Sequence, residues 1–338
     1  MKVLVTGATG FLGQYIVEQL RARGDAVRAL CRRPAPELEA LGVEVVRGDA
    51  TDRDSVVAAC RGVDAVVHTA AVAGIWGPWE RFYSTNVLGT RHVLDGCRAH
   101  GVGRLVYTSS PSVTFDGRPQ RGVDESAPYP TKWLAFYPQT KAAAEQEVLA
   151  AHEPGRLHTC ALRPHLIWGP RDRHLIPRLL DRARRGKLKR VGDGTNRVDV
   201  IYVENAAEAH LLALDRLADP GPAGGRAFFL SQGKPVVCWT WIDEILKLVD
   251  LPPVRRALPY GVAWSVGSIL EGIWRMLGKV DEPLMTRFLA AQLAHDHYFD
   301  LTAARRDLGY EPRISTAEGM RRLGAWLRTE SKPFPSNH

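Results

Sequence analysis

Cysteine is scarce: Cys31, Cys60, Cys97, Cys160 and Cys238 are dispersed, odd in number and never spaced C-x-x-C, which argues against a disulfide framework and against a structural zinc site. They read as small apolar side chains of a core. No leader-like run opens the chain, because its first apolar stretch is a short strand ending in Thr6-Gly7; a cytoplasmic protein is the expectation. The apolar run from Tyr260 to Leu277 is only 18 residues long and is interrupted by Glu271 and Arg275, which argues against crossing a bilayer. A core or lid helix is the reading, with contact to a membrane surface as its alternative. Internal repeats are absent, and low complexity is confined to a short polar C-terminus. Acidic residues are outnumbered, 37 to 45, for a formal charge of +8. The excess is concentrated between Arg171 and Arg190, where Asp172 and Asp181 are the only acids. No stacking platform or nucleic-acid motif accompanies it, so nucleic acid is a poor partner. A solvated helix face is expected there, with an anionic lipid, acidic partner or anionic substrate as the alternatives.

What is present is an α/β rhythm. With 338 residues, 45% of them hydrophobic, the chain suits a sizeable core with an additional lobe. Apolar runs at Val3 to Thr6, Ala26 to Cys31, Val43 to Arg47, Ala65 to Thr69, Leu105 to Ser109 and Thr159 to Arg163 are mostly separated by helical patterns. That alternation predicts a doubly wound parallel sheet with helices on both faces. After Pro164 the rhythm breaks into a basic helix near Leu175 to Arg185, a strand at Val198 to Val203 and a helix from Glu204 to Leu217. A turn cluster at Asp219 to Gly225 and a strand at Ala227 to Leu230 follow. The expected division is a nucleotide-binding unit over 1–165, to which segments near 198–230 return, and a smaller substrate-binding region over 166–330.

Gly7, Gly10 and Gly13 lie between the first strand and a helix with Leu12, Ile16 and Leu20 on one face. Lacking β-carbons, they let main-chain N–H groups approach a pyrophosphate at a helix N-terminus that favours its charge. The spacing is G-x-x-G-x-x-G rather than G-x-G-x-x-G. Downstream, Tyr137-Pro138-Gln139-Thr140-Lys141 opens another helix, with Pro138 suited to its first turn. Tyr137 and Lys141, four apart, share a face, and a nearby ammonium would lower the phenol toward a useful acid/base range. The run Arg104 to Ser110 ends in hydroxyls at the sheet edge where ligands of doubly wound proteins bind. Asn86 is a polar residue inside a helix beginning near Glu80. The second strand ends in Arg32-Arg33 instead of the Asp or Glu usual at NAD sites. Two cations suit a 2′-phosphate, so NADP(H) is favoured over NAD(H).

Taken together and in this order, these motifs resemble the extended short-chain dehydrogenase/reductase family, whose fold is a Rossmann sheet, from Met1 to about Leu327. The resemblance implies that Tyr137 is the general acid/base, Lys141 its pKa-lowering partner and ribose ligand, Ser110 the holder of the substrate oxygen and Asn86 a support for the proton path. Ser109 competes with Ser110 for the serine role. It further implies a cofactor site formed by Gly7, Thr9, Gly10, Phe11, Leu12, Gly13, Arg32, Arg33, Asp49, Ala50, Ala70, Ala71, Tyr137, Lys141 and Pro164, with Arg163-Pro164-His165 continuing past the nicotinamide. The run Val106 to Gly117 with Asp124-Glu125 is most similar to the 3β-hydroxysteroid dehydrogenase branch. That branch implies oxidoreduction of a 3-keto or 3-hydroxy group on a bulky hydrocarbon, of the 2-alkyl-3-keto acid or sterol type, in the reductive direction. Trp76, Trp79, Trp133, Phe136 and Trp168 are expected near the site's apolar edges. Nucleotide-sugar epimerisation or dehydration is the alternative, although Pro111-Ser112 stands where dehydratases carry an acid pair; a non-catalytic NADP-binding protein is the third reading. His295, Asp296 and His297 sit on an expected strand that turns them to alternate faces, so no metal is assigned. Beyond an apolar small-molecule substrate, partners stay open among a membrane surface, a multi-enzyme assembly and a second copy as a homodimer.

Overall fold

Seven short apolar runs become one parallel sheet in the computed structural model, which describes residues 1–218 and 221–329. The strands are β1 (Lys2–Thr6), β2 (Ala26–Cys31), β3 (Glu44–Arg47), β4 (Ala65–His68), β5 (Arg104–Thr108), β6 (His158–Pro164) and β7 (Arg226–Leu230). They lie in the order β7-β6-β5-β4-β1-β2-β3, each pair parallel. The order reverses between β1 and β4, and the crevice at their carboxyl ends is where doubly wound sheets take ligands.

The helices that position the site are α1 (Phe11–Ala22), α2 (Gly89–His100), α3 (Phe136–Ala150), α4 (Leu175–Arg184), α5 (Val203–Arg216), α6 (Tyr260–Met276) and α7 (Arg287–Ala294). Alternation along β1 sorts its side chains between two layers. Val3 and Val5 pack with Ile16 and Leu20 of α1 and Ala206 of α5, whereas Leu4 joins Val93 and Leu94 of α2 and Val148 of α3. A separate core around Trp168, Tyr202, Trp239 and Trp241 supports the C-terminal part.

Three expectations change. The strand foreseen at Val198 to Val203 is two short pieces, Arg197–Val198 and Ile201–Tyr202, in different small sheets, and Val203 already begins α5. Asp199 makes the break, because its N–H donates to His297 O (3.0 Å) and its carboxylate accepts Phe299 N (2.9 Å). His295 and Asp296 precede the strand that starts at His297. In α6 the buried residues are Ala263, Gly267 and Glu271, while Val262, Val266, Ile269, Ile273 and Met276 are exposed. The charge that interrupts the apolar run is therefore its anchor: Glu271 accepts from Arg287 N (2.7 Å) and Arg287 Nη2 (2.8 Å) at the start of α7. Gly267 lets the two helices touch, since a β-carbon there would lie 2.6 Å from Thr286 C. Among the described residues no helix is long and apolar enough to cross a membrane. Asp219 and Pro220 of the turn cluster, and the polar C-terminus from Glu330, lie outside the described residues.

One buried ion pair ties α3 to β6. Arg163 Nη2 and Nε donate to Glu145 at 2.5 and 3.0 Å, with side chains 3% and 0% exposed, and Tyr129 Oη adds a bond to the same carboxylate (2.7 Å). Removing one partner strands the other charge in the core. Glu145→Leu is expected to lower the unfolding free energy by about 3–5 kcal/mol, measured by urea denaturation; a loss below about 1 kcal/mol would contradict this role.

Candidate active site

The glycine turn is built by close approach. Gly7 has φ +72°, and a β-carbon on it would sit 2.7 Å from Thr69 Oγ1 and 2.8 Å from Ala70 N. At Gly13 a β-carbon would be 2.1 Å from Gly7 O, so the first turn of α1 presses on the loop before it. Gly10 donates its N–H to Gly7 O (2.9 Å) and caps α1 with no side-chain bond and no acid in the first turn. The leading N–H groups are left for an anion, which fits a dinucleotide phosphate. Gly7, Gly10, Phe11, Leu12 and Gly13 all wall a cavity of about 450 Å³ that runs on to Ser110, Tyr137 and Lys141.

Other expected cofactor residues divide. Ala71 and Pro164 are walls of this cavity. Thr9 is exposed at the turn, and Ala70 is engaged elsewhere, donating its N–H to Thr6 Oγ1 (3.3 Å). Arg32 and Arg33 are exposed just after β2. Asp49 Oδ1 accepts from Thr51 N (2.9 Å) and Thr51 Oγ1 (2.8 Å). Burial raises that carboxyl, but these bonds and the charge of Arg32 together hold it below its ordinary value. The carbonyl of Ala50 is held by His92 Nδ1 (3.0 Å). These four residues are not among the walls of the cavity.

At the other end, β5 and α3 bring the expected chemistry together with one change of partner. Burial raises the Tyr137 phenol, and the group that counters it is the Ser110 hydroxyl. The Lys141 amine instead donates to Thr108 O (2.5 Å) and lies 4.1 Å from the centre of the Tyr107 ring. Burial pulls this ammonium down to about 7 against the raising field of Glu145. Burial is the largest influence on Tyr137 and leaves its phenol above its ordinary value. Ser110 Oγ also meets Ser112 Oγ (2.9 Å) and caps the turn Pro111–Thr114. Ser109 Oγ is shut from solvent without a partner among the described residues, whereas Ser110 is the group that counters the burial of the phenol.

Asn86 stands in a π-turn, Ser84–Leu88, between Trp79–Tyr83 and α2, an irregularity common at functional sites. Its amide clamps a loop, accepting from Val72 N (2.8 Å) and donating to Val72 O and Thr140 Oγ1 (both 3.1 Å). Asn86 thus holds the segment beside Ala71 against α3 and is not a cavity wall. Of the aromatics, Trp168 is fully buried away in the C-terminal core. Phe136 is exposed and packs edge-on against Trp79. Ile75, Phe115, Phe288 and Phe299 supply apolar walls instead.

Sequence reasoning gave no role to a histidine pair. His165, just after β6, and His297 both wall the cavity, with His165 Nε2 and His297 Nδ1 2.6 Å apart. The neighbouring Leu166 has φ +45°, which turns the chain sharply past the pair. The residues are 132 apart in sequence, so no local pattern joins them.

A model of the 3-beta hydroxysteroid dehydrogenase/isomerase family matches residues 4–259. The chain is 47% identical over 327 residues to a 2-alkyl-3-oxoalkanoate reductase of Stenotrophomonas maltophilia, covering 96% of this chain and 99% of the relative. It is 34% identical over 325 residues to the decarboxylating sterol-4-alpha-carboxylate 3-dehydrogenase of Mus musculus, covering 95% and 89%. Among solved structures, gox2253 superposes with a TM-score of 0.78 at 27% identity, covering 98% and 99%. MoeE5 in complex with UDP-glucose and NAD gives 0.74 at 28%, covering 97% and 99%. With the phosphate cradle, the phenol and its serine walling one cavity, the chain belongs to the 3-beta hydroxysteroid dehydrogenase/isomerase family and is an oxidoreductase acting on CH–OH and C=O groups.

Proposed function

We propose that the chain is an NADP(H)-dependent reductase of 2-alkyl-3-keto acids. The observation that carries this reading is that Tyr137 and Ser110 wall the apolar end of the cavity that starts at the glycine cradle, where burial holds the phenol above its ordinary value. Bound reduced nicotinamide supplies a hydride for the carbonyl carbon. Tyr137 gives its proton to the carbonyl oxygen, Ser110 donates a hydrogen bond to the same oxygen, and Phe115 and Phe288 exclude water from the alkyl chains. Lys141 holds the end of β5 and presents its amine to a ribose hydroxyl. Tyr137→Phe is expected to lower kcat by roughly 10²–10⁴-fold, followed by nicotinamide absorbance with a 2-alkyl-3-keto acid. Full activity in that variant, or turnover of UDP-glucose but of no keto acid, would overturn the reading.

The cofactor preference rests on Arg32 and Arg33, exposed at the end of β2 with no carboxylate in that position. Replacing both by Gln is expected to weaken NADPH at least about tenfold, or about 1.4 kcal/mol, and NADH far less; equal losses for the two cofactors would count against phosphate recognition.

The surface partner we infer is an anionic membrane. Val262, Val266, Ile269, Ile273 and Met276 form one exposed stripe along α6, continued by Val280 and Leu284. Basic α4 flanks it, with Arg178 and Arg182 both reaching Glu282. An apolar face beside a basic one suits lipid headgroups and acyl chains. Co-sedimentation with phosphatidylglycerol vesicles, weak with phosphatidylcholine and lost in Ile269→Glu, is the expected result. A salt-independent dimer that hides the stripe would overturn it.

A further inference from the structure

The walls of the cavity include no arginine among the described residues, and its one lysine, Lys141, donates to Thr108 O and is assigned above to the ribose. Besides the serine hydroxyls already given to the reacting oxygen, a substrate carboxylate entering it meets the imidazoles of His174 and of the bonded pair His165 and His297.

The tautomers of the two rings follow from their bonds. Gln292 O can only accept, so His297 Nε2, 2.7 Å away, carries a proton. His297 Nδ1 is then the acceptor, and His165 Nε2 donates to it across 2.6 Å. His165 Nδ1 is left as a lone pair. Among the described residues it takes no hydrogen bond, and it is not among the solvent-sealed unpartnered atoms, so in a ring that walls the cavity it is the atom open to it. A proton added at this nitrogen disturbs none of the existing bonds, and converts the acceptor into a cationic donor.

We propose that His165 Nδ1, with its ring held by His297, is the subsite that recognises the carboxylate of the substrate, taking up one proton from solvent as the acid binds. This rests on the keto-acid reading above and adds to it the group that reads the acid. His165 is the contact residue, and His297 is a positioning residue.

The surroundings keep the pair neutral until a carboxylate arrives. Burial first, and then His297, hold His165 well below its ordinary value; burial takes His297 down to about 4. Asp296, beside His297, favours charge, but its oxygens are taken by Arg197 N (2.6 Å) and Arg121 Nε (2.5 Å). His295 opposes charge on His297. Across the strand, Asp199 is itself raised to about 6 by burial. On the cavity's other walls, Asp172 accepts from the N–H of His174 and from the first N–H groups of α4, the His174 ring stands beside it, and Lys141 adds a cation. A bound carboxylate raises His165 by opposite charge, so proton uptake accompanies binding and affinity falls as pH rises.

The test uses the full chain and the stable product class, a 2-alkyl-3-hydroxy acid, against its methyl ester. For wild type, the KM of the acid is expected to rise with pH, up to about tenfold per unit, while that of the ester stays flat. Calorimetry in two buffers of different ionisation enthalpy should show proton uptake approaching one per acid bound, and none for the ester. His165→Gln should cut the acid-to-ester ratio of kcat/KM at least about tenfold and abolish the uptake. His297→Leu should flatten the pH dependence of KM while kcat changes less. An acid preference that survives in His165→Gln, or acid binding without proton uptake in wild type, overturns the subsite and leaves the keto-acid reading standing. Failure of wild type to oxidise either compound overturns that reading and the subsite with it.

Discussion

The buried contact between Glu145 and Arg163 is the joint on which the cavity depends. Glu145 belongs to α3, one further turn along the Tyr137–Lys141 face, and Arg163 precedes Pro164 and His165 at the end of β6. The arginine also lies 5.0 Å from the centre of the Phe229 ring of β7. One desolvated pair thus sets the helix that carries Tyr137 and Lys141 against the strand that leads into His165. Such a pair is weak as a source of net stability but unforgiving of misalignment, which is what a site assembled from distant segments requires. Glu145 also opposes the desolvation of Lys141, so the same carboxylate serves packing and electrostatics.

Four-residue spacing puts Tyr137 and Lys141 on one helix face, and the carbonyl at the end of β5 accepts a hydrogen bond from the amine. Tyr137 is left with Ser110 as its counterweight and remains an acid at neutral pH, the state from which a carbonyl oxygen receives a proton. The π-turn at Asn86 serves the same end indirectly, since its amide holds the loop at Val72 to Thr140 of α3.

Much of the fold was legible in the residues. All six early strands and the helices between them follow from apolar runs bounded by turns, and the glycine turn announces its own backbone, because only glycine tolerates φ +72° with Ala70 N pressing on it. Less legible was α6. Apolar residues normally face inward, and here Glu271 does, because Arg287 N–H and guanidinium groups wait for it inside, an arrangement that periodicity does not reveal. The strand expected at Val198 to Val203 failed for a similar reason, Asp199 being claimed by His297 and Phe299, about a hundred positions away.

The sequence by itself determined the parallel sheet and the glycine turn at the start of α1, because each depends on residues within a turn or two of one another; through its resemblance to a family it also pointed to Tyr137, Lys141 and Ser110, which wall one cavity. Only the tertiary structure decided which oxygen the amine meets, which side of α6 faces water and that His165 and His297 share a bond. Those outcomes are set by distances between segments far apart in the chain, where local propensity carries no information about neighbours.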